Sequence, residues 1–132
     1  MIVIRPDTVR FGDEHWDNIL RITIDRSAAQ TIHAHDETGP YATLVDIPRQ
    51  RITITVTQEI IAENLQSPIP SQLALLRINT GSGSDTGNKR IQCQCVVESV
   101  TNKVSDYGAN RVISLLAQSD AADQDPIEIT PN

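Results

Sequence analysis

Aromatic residues are scarce in this chain: phenylalanine, tyrosine and tryptophan make up 3% of its 132 residues. A core must therefore come from isoleucine, valine and leucine, which favour strands when they alternate with polar residues. No apolar run approaches the roughly 18 residues that cross a bilayer. The apolar part of the first residues is too short for a signal peptide. We therefore expect a protein made in a cytoplasm, with no membrane segment.

Positive charge is in deficit, because 11 lysines and arginines stand against 17 aspartates and glutamates, which gives a net charge of −6. Such a chain repels the phosphate backbone, so we expect no sequence-specific binding of DNA or RNA. Two cysteines are too few for a secreted disulfide scaffold. The length fits one domain, which we assign to residues 1–132.

Alternating apolar and polar residues predict a run of antiparallel strands with little helix. The clearest strand covers residues 51–60, where isoleucine and valine face one side and mostly threonine faces the other. A long, β-branched polar face suits a sheet surface that touches water or another subunit. Its residues are Arg51, Thr53, Thr55, Thr57 and Glu59.

Six or seven strands in a chain of this length predict an antiparallel β-sandwich or a distorted barrel. Between residues 62 and 71, Pro68 and Pro70 leave room for at most one short helix. A phase switch in the apolar pattern near Val96 and Val97 predicts a β-bulge. Pro48 is expected to end a short strand. The strands are predicted at residues 20–25, 30–36, 41–48, 51–60, 73–80, 90–106 and 111–118.

The two cysteines are spaced Cys-x-Cys, at Cys93 and Cys95. The simplest interpretation is two small buried apolar residues in a strand. A disulfide between them is unfavourable, because two extended residues span about 6.6 Å with parallel side chains. An alternative is a zinc site, if His33 and His35 lie on an adjacent strand, although the spacing departs from the usual Cys-x2-4-Cys knuckle.

Catalytic motifs are missing, so we expect no enzyme and no cofactor. The glycines of residues 81–89 do not fit a phosphate-binding loop, because no Gly-Lys-Ser/Thr and no helix follow them. The charged cluster of residues 13–17 is explained by a loop. The acidic C-terminal segment, residues 119–132, is interpreted as a solvated terminus, with a short strand at residues 126–129 as the alternative.

The C-terminal third resembles the closing hairpin of bacteriophage tail tube proteins. In that family, a strand ends in a turn with Gly-Ala, returns through an apolar strand and leaves through an acidic segment that ends in a Pro-Ile/Val strand. The matching pieces are Gly108-Ala109, residues 112–117 and Asp125-Pro126-Ile127. The strand of residues 51–60 also looks like the hairpins of the family. The resemblance covers residues 42–129.

This resemblance implies a β-sandwich or distorted barrel with a flanking helix, a helix that Pro68 and Pro70 put in doubt. It implies hexameric rings in which sheets join edge to edge, and stacked rings that form an acidic conduit for DNA. The implied partners are other copies of the chain and the sheath, tape measure and baseplate proteins of a virion assembled in the host cytoplasm. A baseplate hub or a tail completion ring of the same fold is the nearest alternative, and the tail type stays open.

Particular residues acquire expected roles from the resemblance. The threonine-rich face of residues 51–59 is expected to line the lumen or an interface. A disulfide between subunits could involve Cys93 or Cys95 once the particle leaves a reducing cytoplasm. The expected ring-to-ring contacts lie in two loops, at Glu63, Gln66, Ser84, Asp85 and Lys89.

Overall fold

The fold is all β in the part of the chain that the structure, a computed structural model, describes: residues 1–35, 37–61, 65–81, 89–106, 108–119, 121 and 123–131. This confirms the predicted mainly antiparallel β fold, and no helix is present in these residues, including the described part of 62–71. The strands are β1 Ile2–Ile4, β2 Thr8–Phe11, β3 Glu14–Trp16, β4 Ile19–His35, β5 Ala42–Glu59, β6 Leu73–Thr80, β7 Lys89–Ser105, β8 Gly108–Gln118 and β9 Glu128–Pro131.

All nine strands belong to one antiparallel sheet that does not close into a barrel. The order is β1-β4-β5-β8-β7-β6-β2-β3, and β9 adds to β7. Strand β7 pairs with β6 along its first half and with β8 along its second half. Strand β9 pairs with β7 at Lys89–Gln92, before the β8 pairing begins at Gln94. A single long strand therefore joins both halves of the sheet.

The core lies on one face of the sheet, because side chains that alternate along extended strands share a face. Central strands β4, β5 and β8 contribute isoleucines, valines and leucines that are fully buried. Strands β2 and β3 contribute to the core as well, and their rings Phe11 and Trp16 pack with centroids 5.0 Å apart. Since Trp16 ends strand β3, the interpretation of residues 13–17 as a charged loop was wrong for residues 14–16. The core residues include Val9, Ile22, Ile24, Ile54, Val56, Leu76, Ile78, Val97, Ile113 and Leu115.

The predicted irregularity in the cysteine strand is confirmed. The β7–β8 register shifts between Val97 and Ser99, as a bulge requires. The strand then continues to a tight turn, where Ser105 pairs with Gly108. Gly108 has φ 138°, a conformation that side-chain-bearing residues rarely adopt.

Strand β5 continues through Pro48 for 18 residues, so the prediction that Pro48 ends a strand was wrong. The register with β4 shifts between the pairs Gln30–Arg49 and Ile32–Asp46, and Pro48 lies in that irregularity. Proline is tolerated there because a bulge leaves an N–H unpaired in any case.

The distal ends of β4 and β5 form a two-stranded extension, which we call the arm: residues 30–35 and 42–50. Strand β1 covers β4 only at residues 22–24, and β8 covers β5 only at residues 53–59. Along the arm, the described strands therefore pair only with each other. Tyr41 lies at its tip and is 85% exposed.

The acidic C-terminal segment is not simply a solvated terminus, because it ends in strand β9. The alternative of a short strand is therefore the correct one, shifted from residues 126–129 to Glu128–Pro131. Ile127, just before the strand, is half-buried against the core.

Candidate functional site

The threonine row of β5 lies on the outer face of the sheet, opposite the core. Thr53, Thr55 and Thr57 are half-buried by their neighbours, and Arg51 and Glu59 at the two ends are exposed. This is the alternation that the sequence predicted. Whether the face lines a lumen or an interface stays a prediction.

The neighbouring strands extend this hydroxyl row across the sheet. In register with Thr55 are Thr23 on β4 and Ser114 on β8, and Ser114 in turn pairs with Ser99 on β7. The next row places Thr57 level with Val112, which pairs with Thr101. We call these residues the hydroxyl face: Thr23, Thr53, Thr55, Thr57, Ser99, Thr101 and Ser114.

The hydroxyl face carries small polar groups that donate and accept hydrogen bonds without a net charge. Its described residues include no aromatic side chain on which a base could stack. Ser114 Oγ donates to Glu98 Oε2 at 3.1 Å, so an acidic group borders the face at the bulge. Cross-strand partners share a face, so Arg21 opposite Thr57 and Asp25 opposite Thr53 add one charge of each sign to this side of the sheet.

Cys93 and Cys95 are free thiols in the core, 2% and 0% exposed. The Cys95 Sγ–H donates to the Cys93 carbonyl at 3.5 Å. Hydrogen bonding to Cys93, together with burial, raises the pKa of the Cys95 thiol well above its ordinary value. In this conformation neither thiol is placed to meet another chain, so a disulfide between subunits would require β7 to rearrange.

The alternative zinc site is not assembled. His33 and His35 are exposed on the arm, whereas the cysteines point into the core. Strand β4 is separated from β7 by β5 and β8, so the adjacency that the hypothesis needed is wrong. Among the described residues, no group of three or more histidine, cysteine or acidic side chains could hold a metal ion.

Arg111 organises the segment that follows β5, and the sequence analysis missed it. Its side chain is 2% exposed. Nε donates to Asn102 Oδ1 at 3.1 Å, and Nη1 donates to Gln58 Oε1 at 3.1 Å. Nη1 and Nη2 also donate to the carbonyls of Gln66 and Leu65, at 3.2 and 3.0 Å. Burial lowers the pKa of the guanidinium, which remains protonated at neutral pH.

A signal for this network was present in the sequence. Arg111 is in phase with Ile113 and Leu115, which face the core, so an alternating pattern already places the arginine inward. Gln58 is likewise in phase with Ile54 and Val56. A charged or amide residue in phase with core residues indicates a buried polar network.

The predicted ring-contact loops are only partly described. Gln66 is exposed, and its carbonyl is held by Arg111. Lys89 opens β7, where it pairs with Thr80 and Pro131. The positions Glu63, Ser84 and Asp85 lie outside the described residues.

The described part of the chain between β8 and β9 lies on the core side of the sheet, next to Arg26 and Cys93. Arg26 Nη2 contacts Asp125 Oδ2 at 3.0 Å, and both side chains are about half exposed. The Ile127 N–H donates to Asp125 Oδ1 at 3.0 Å. Cys93 lines a cavity of about 290 Å³ beneath this segment. The segment therefore covers the Cys93 side of the core.

We expect Asp125→Asn to increase the labelling rate of Cys93 by about 1.5- to 5-fold, because an exposed ion pair contributes little but measurably. The measurement is maleimide kinetics in a Cys95→Ala background. Asp123→Asn, a substitution of an exposed neighbour, is the matched control. Equal rates for the two variants would show that the ion pair does not hold the segment.

The stabilisation that the Asp125 contacts provide depends on pH only in the acidic range. The backbone N–H of Ile127, and then Arg26, hold the pKa of Asp125 below its ordinary 3.8. The charged carboxylate is therefore favoured in the folded state. Its contribution is complete above pH 3.8 and is lost as the pH falls through the lower folded pKa. Labelling of Cys93 at neutral pH should accordingly be insensitive to small pH changes, once thiol ionisation is corrected for.

No protein-family model and no curated protein sequence matches this chain. The described residues also contain no helix long and apolar enough to cross a membrane.

Proposed function

We propose that this chain is a self-assembling structural subunit of a bacteriophage tail, and specifically a tail tube protein whose hexameric rings stack into a conduit for DNA. The resemblance of residues 42–129 points to the family, and the open sheet supports self-assembly: among the described residues, the arm of β4 and β5 has no neighbouring strand on either side. Unpaired strand edges are templates for another chain, and monomeric proteins usually block them. A partner sheet would complete the pairing.

The outer surface suits the lining of a conduit. The hydroxyl face spans β4, β5, β8 and β7 and offers water-binding groups without aromatic side chains. A net charge of −6 repels phosphate, so DNA slides along instead of binding. The same features fit a hub or completion ring, which differs from a tube in the number of rings that it stacks.

The test is electron microscopy of the concentrated protein, with sedimentation velocity across a concentration series. We expect hollow rings with sixfold symmetry, and tubes at higher concentration, that retain no double-stranded DNA at low salt. Single rings that never stack would favour a hub or completion ring. A monomer at every concentration, or assemblies that bind DNA tightly, would contradict the proposal.

A further inference from the structure

The arm carries a large part of the exposed apolar surface of the described chain. Ile32, Leu44, Val45 and Ile47 are exposed large hydrophobic residues, and so is Tyr41 at the tip. An isolated two-stranded hairpin is marginally stable in water, and clustered exposed apolar residues mark an interaction site. The arm is therefore a candidate interaction surface.

Apolar side chains occur on both faces of the arm. Cross-strand partners share a face, so the pair Ala34–Leu44 places Leu44 on one side and the pair His33–Val45 places Val45 on the other. A partner that covers only one face would leave the other exposed. An open groove, which can enclose the arm from more than one side, fits this distribution better than a flat surface.

One such groove lies between β3 and the segment of residues 65–68, and its volume is about 510 Å³. Its rim carries Glu14 and Asp17, and its opposite wall carries Leu65, all exposed. Trp16 and Pro68, both buried, lie at its floor. Ile69 follows Pro68 in the sequence and is also exposed. The groove thus combines one exposed leucine with two carboxylates, in a lining that is otherwise mostly polar.

The base of the arm has the complementary charge. Arg49 and Arg51 are exposed there, whereas Glu14 and Asp17 line the groove, where Asp17 Oδ1 also contacts His15 Nε2 at 3.0 Å. Complementary charges fix the register of an interface and suppress wrong pairings. Apolar residues flanked by arginines therefore match apolar residues flanked by carboxylates.

One copy cannot place its own arm in its own groove. The arm leaves β5 at Arg51, while Gln58, at the other end of β5, lines the groove. Seven extended residues separate these positions by about 23 Å, at roughly 3.3 Å per residue. The two complementary surfaces therefore lie at opposite ends of one rigid strand, a head-to-tail arrangement that repeats from copy to copy.

We propose that the arm of one copy docks in the groove of the next copy. Leu44, Val45 and Tyr41 cover Leu65 and Ile69, and Arg49 and Arg51 face Glu14 and Asp17. This inference rests on the proposed function in taking the chain to be self-assembling. It specifies which two surfaces of the chain meet.

Reciprocal charge reversal tests the docking. Arg49→Glu with Arg51→Glu reverses the charge at the base of the arm. Glu14→Arg with Asp17→Arg reverses the charge of the groove. Each double variant should raise the concentration for half-assembly by about tenfold or more, since like charges then meet. One chain that carries all four substitutions should assemble again at nearly the wild-type concentration. Sedimentation velocity measures each value.

Mixing the two double variants gives a second readout. In the mixture both pairings are complementary, because the Glu arm of one variant meets the Arg groove of the other, and the wild-type arm of the second meets the wild-type groove of the first. The equimolar mixture should therefore assemble at nearly the wild-type concentration, although neither variant does so alone. The matched control is Arg10→Glu with Arg77→Glu, which changes the net charge as the arm variant does, at exposed positions on β2 and β6. This control should assemble as the wild type does. Thermal melting checks that every variant is folded.

The apolar part of the contact is tested separately. Leu44→Ser with Val45→Ser keeps all charges and should also raise the half-assembly concentration by about tenfold or more. Single-surface variants that assemble like the wild type would overturn the docking, as would a four-substitution chain that fails to recover.

The docking and the proposed function can fail separately. Hollow tubes that form at the wild-type concentration in every one of these variants would refute the docking and leave the proposed tube function unaffected. Charge-dependent assemblies without a channel would refute the tube function and leave the docking standing. A wild type that stays monomeric at every concentration would overturn both.

Discussion

Replacing Arg111 with methionine is expected to lower the free energy of unfolding by about 3 kcal/mol or more. Methionine fills much of the same space but donates no hydrogen bond. The side-chain oxygens of Gln58 and Asn102 and the carbonyls of Leu65 and Gln66 then lose their donor. A buried acceptor left without a partner costs about 1–3 kcal/mol, and Gln58 is buried, whereas Asn102, Leu65 and Gln66 are exposed residues whose oxygens water can reach.

Urea denaturation measures this decrease in the free energy of unfolding, and two further variants show how much of it comes from the hydrogen bonds. Arg111→Lys keeps the charge but cannot reach four acceptors in a planar fork, so its loss should be intermediate. Arg77→Met removes an exposed arginine from β6 and should change stability by less than about 0.5 kcal/mol. If Arg111→Met costs no more than Arg77→Met, the network does not hold residues 65–66 against the sheet.

Ile54→Ala is expected to lower the free energy of unfolding by about 2–5 kcal/mol, the range for large-to-small substitutions in a core. Ile54 is completely buried in β5, between the pairs that it makes with Ile24 and Leu115. The neighbouring strands are fixed by their own pairing, so they cannot collapse into the space. A cavity therefore remains and adds to the loss of apolar burial.

The adjacent residue supplies the matched control. Thr55→Ala lies on the hydroxyl face, one position along the same strand, and should cost less than about 1 kcal/mol. The difference between the two variants measures the inside–outside alternation of β5 directly. Equal losses would contradict that alternation, and with it the assignment of the hydroxyl face to solvent.

The prediction from sequence was best for β6 and for the inner face of β5. Leu73–Thr80 matches its predicted range in full, and Ile52, Ile54 and Val56 are in the core as their alternation predicted. Ile60, predicted on the same face, follows the end of β5 and is only half-buried. The three-residue strand β3 escaped prediction because a run this short has no measurable period. Its role depends on Trp16, which packs on Phe11 across a tight turn. Short strands are defined by what they pack against, which sequence alone does not reveal.

The arm illustrates a second limit of sequence. Ile32, Leu44 and Val45 are apolar residues within predicted strands, yet the structure leaves them exposed. Local pattern reports which residues share a face and does not report whether any layer covers that face. The groove is equally invisible, because Glu14, Leu65 and Arg111 are distant in sequence and meet only through the sheet order.

The sheet order has a consequence for how the chain reaches its native state. Strand β2 pairs with β6, so Val9 and Phe11 rest on partners near residues 76–78. On a ribosome these apolar residues emerge before β6, and they lack their pairing partners until the β4–β5 hairpin and β6 have been synthesised. Pairings between distant segments form slowly, and exposed apolar strands aggregate meanwhile. Strand β2 thus depends on residues that are synthesised after it, and its apolar side chains stay without their partners until then.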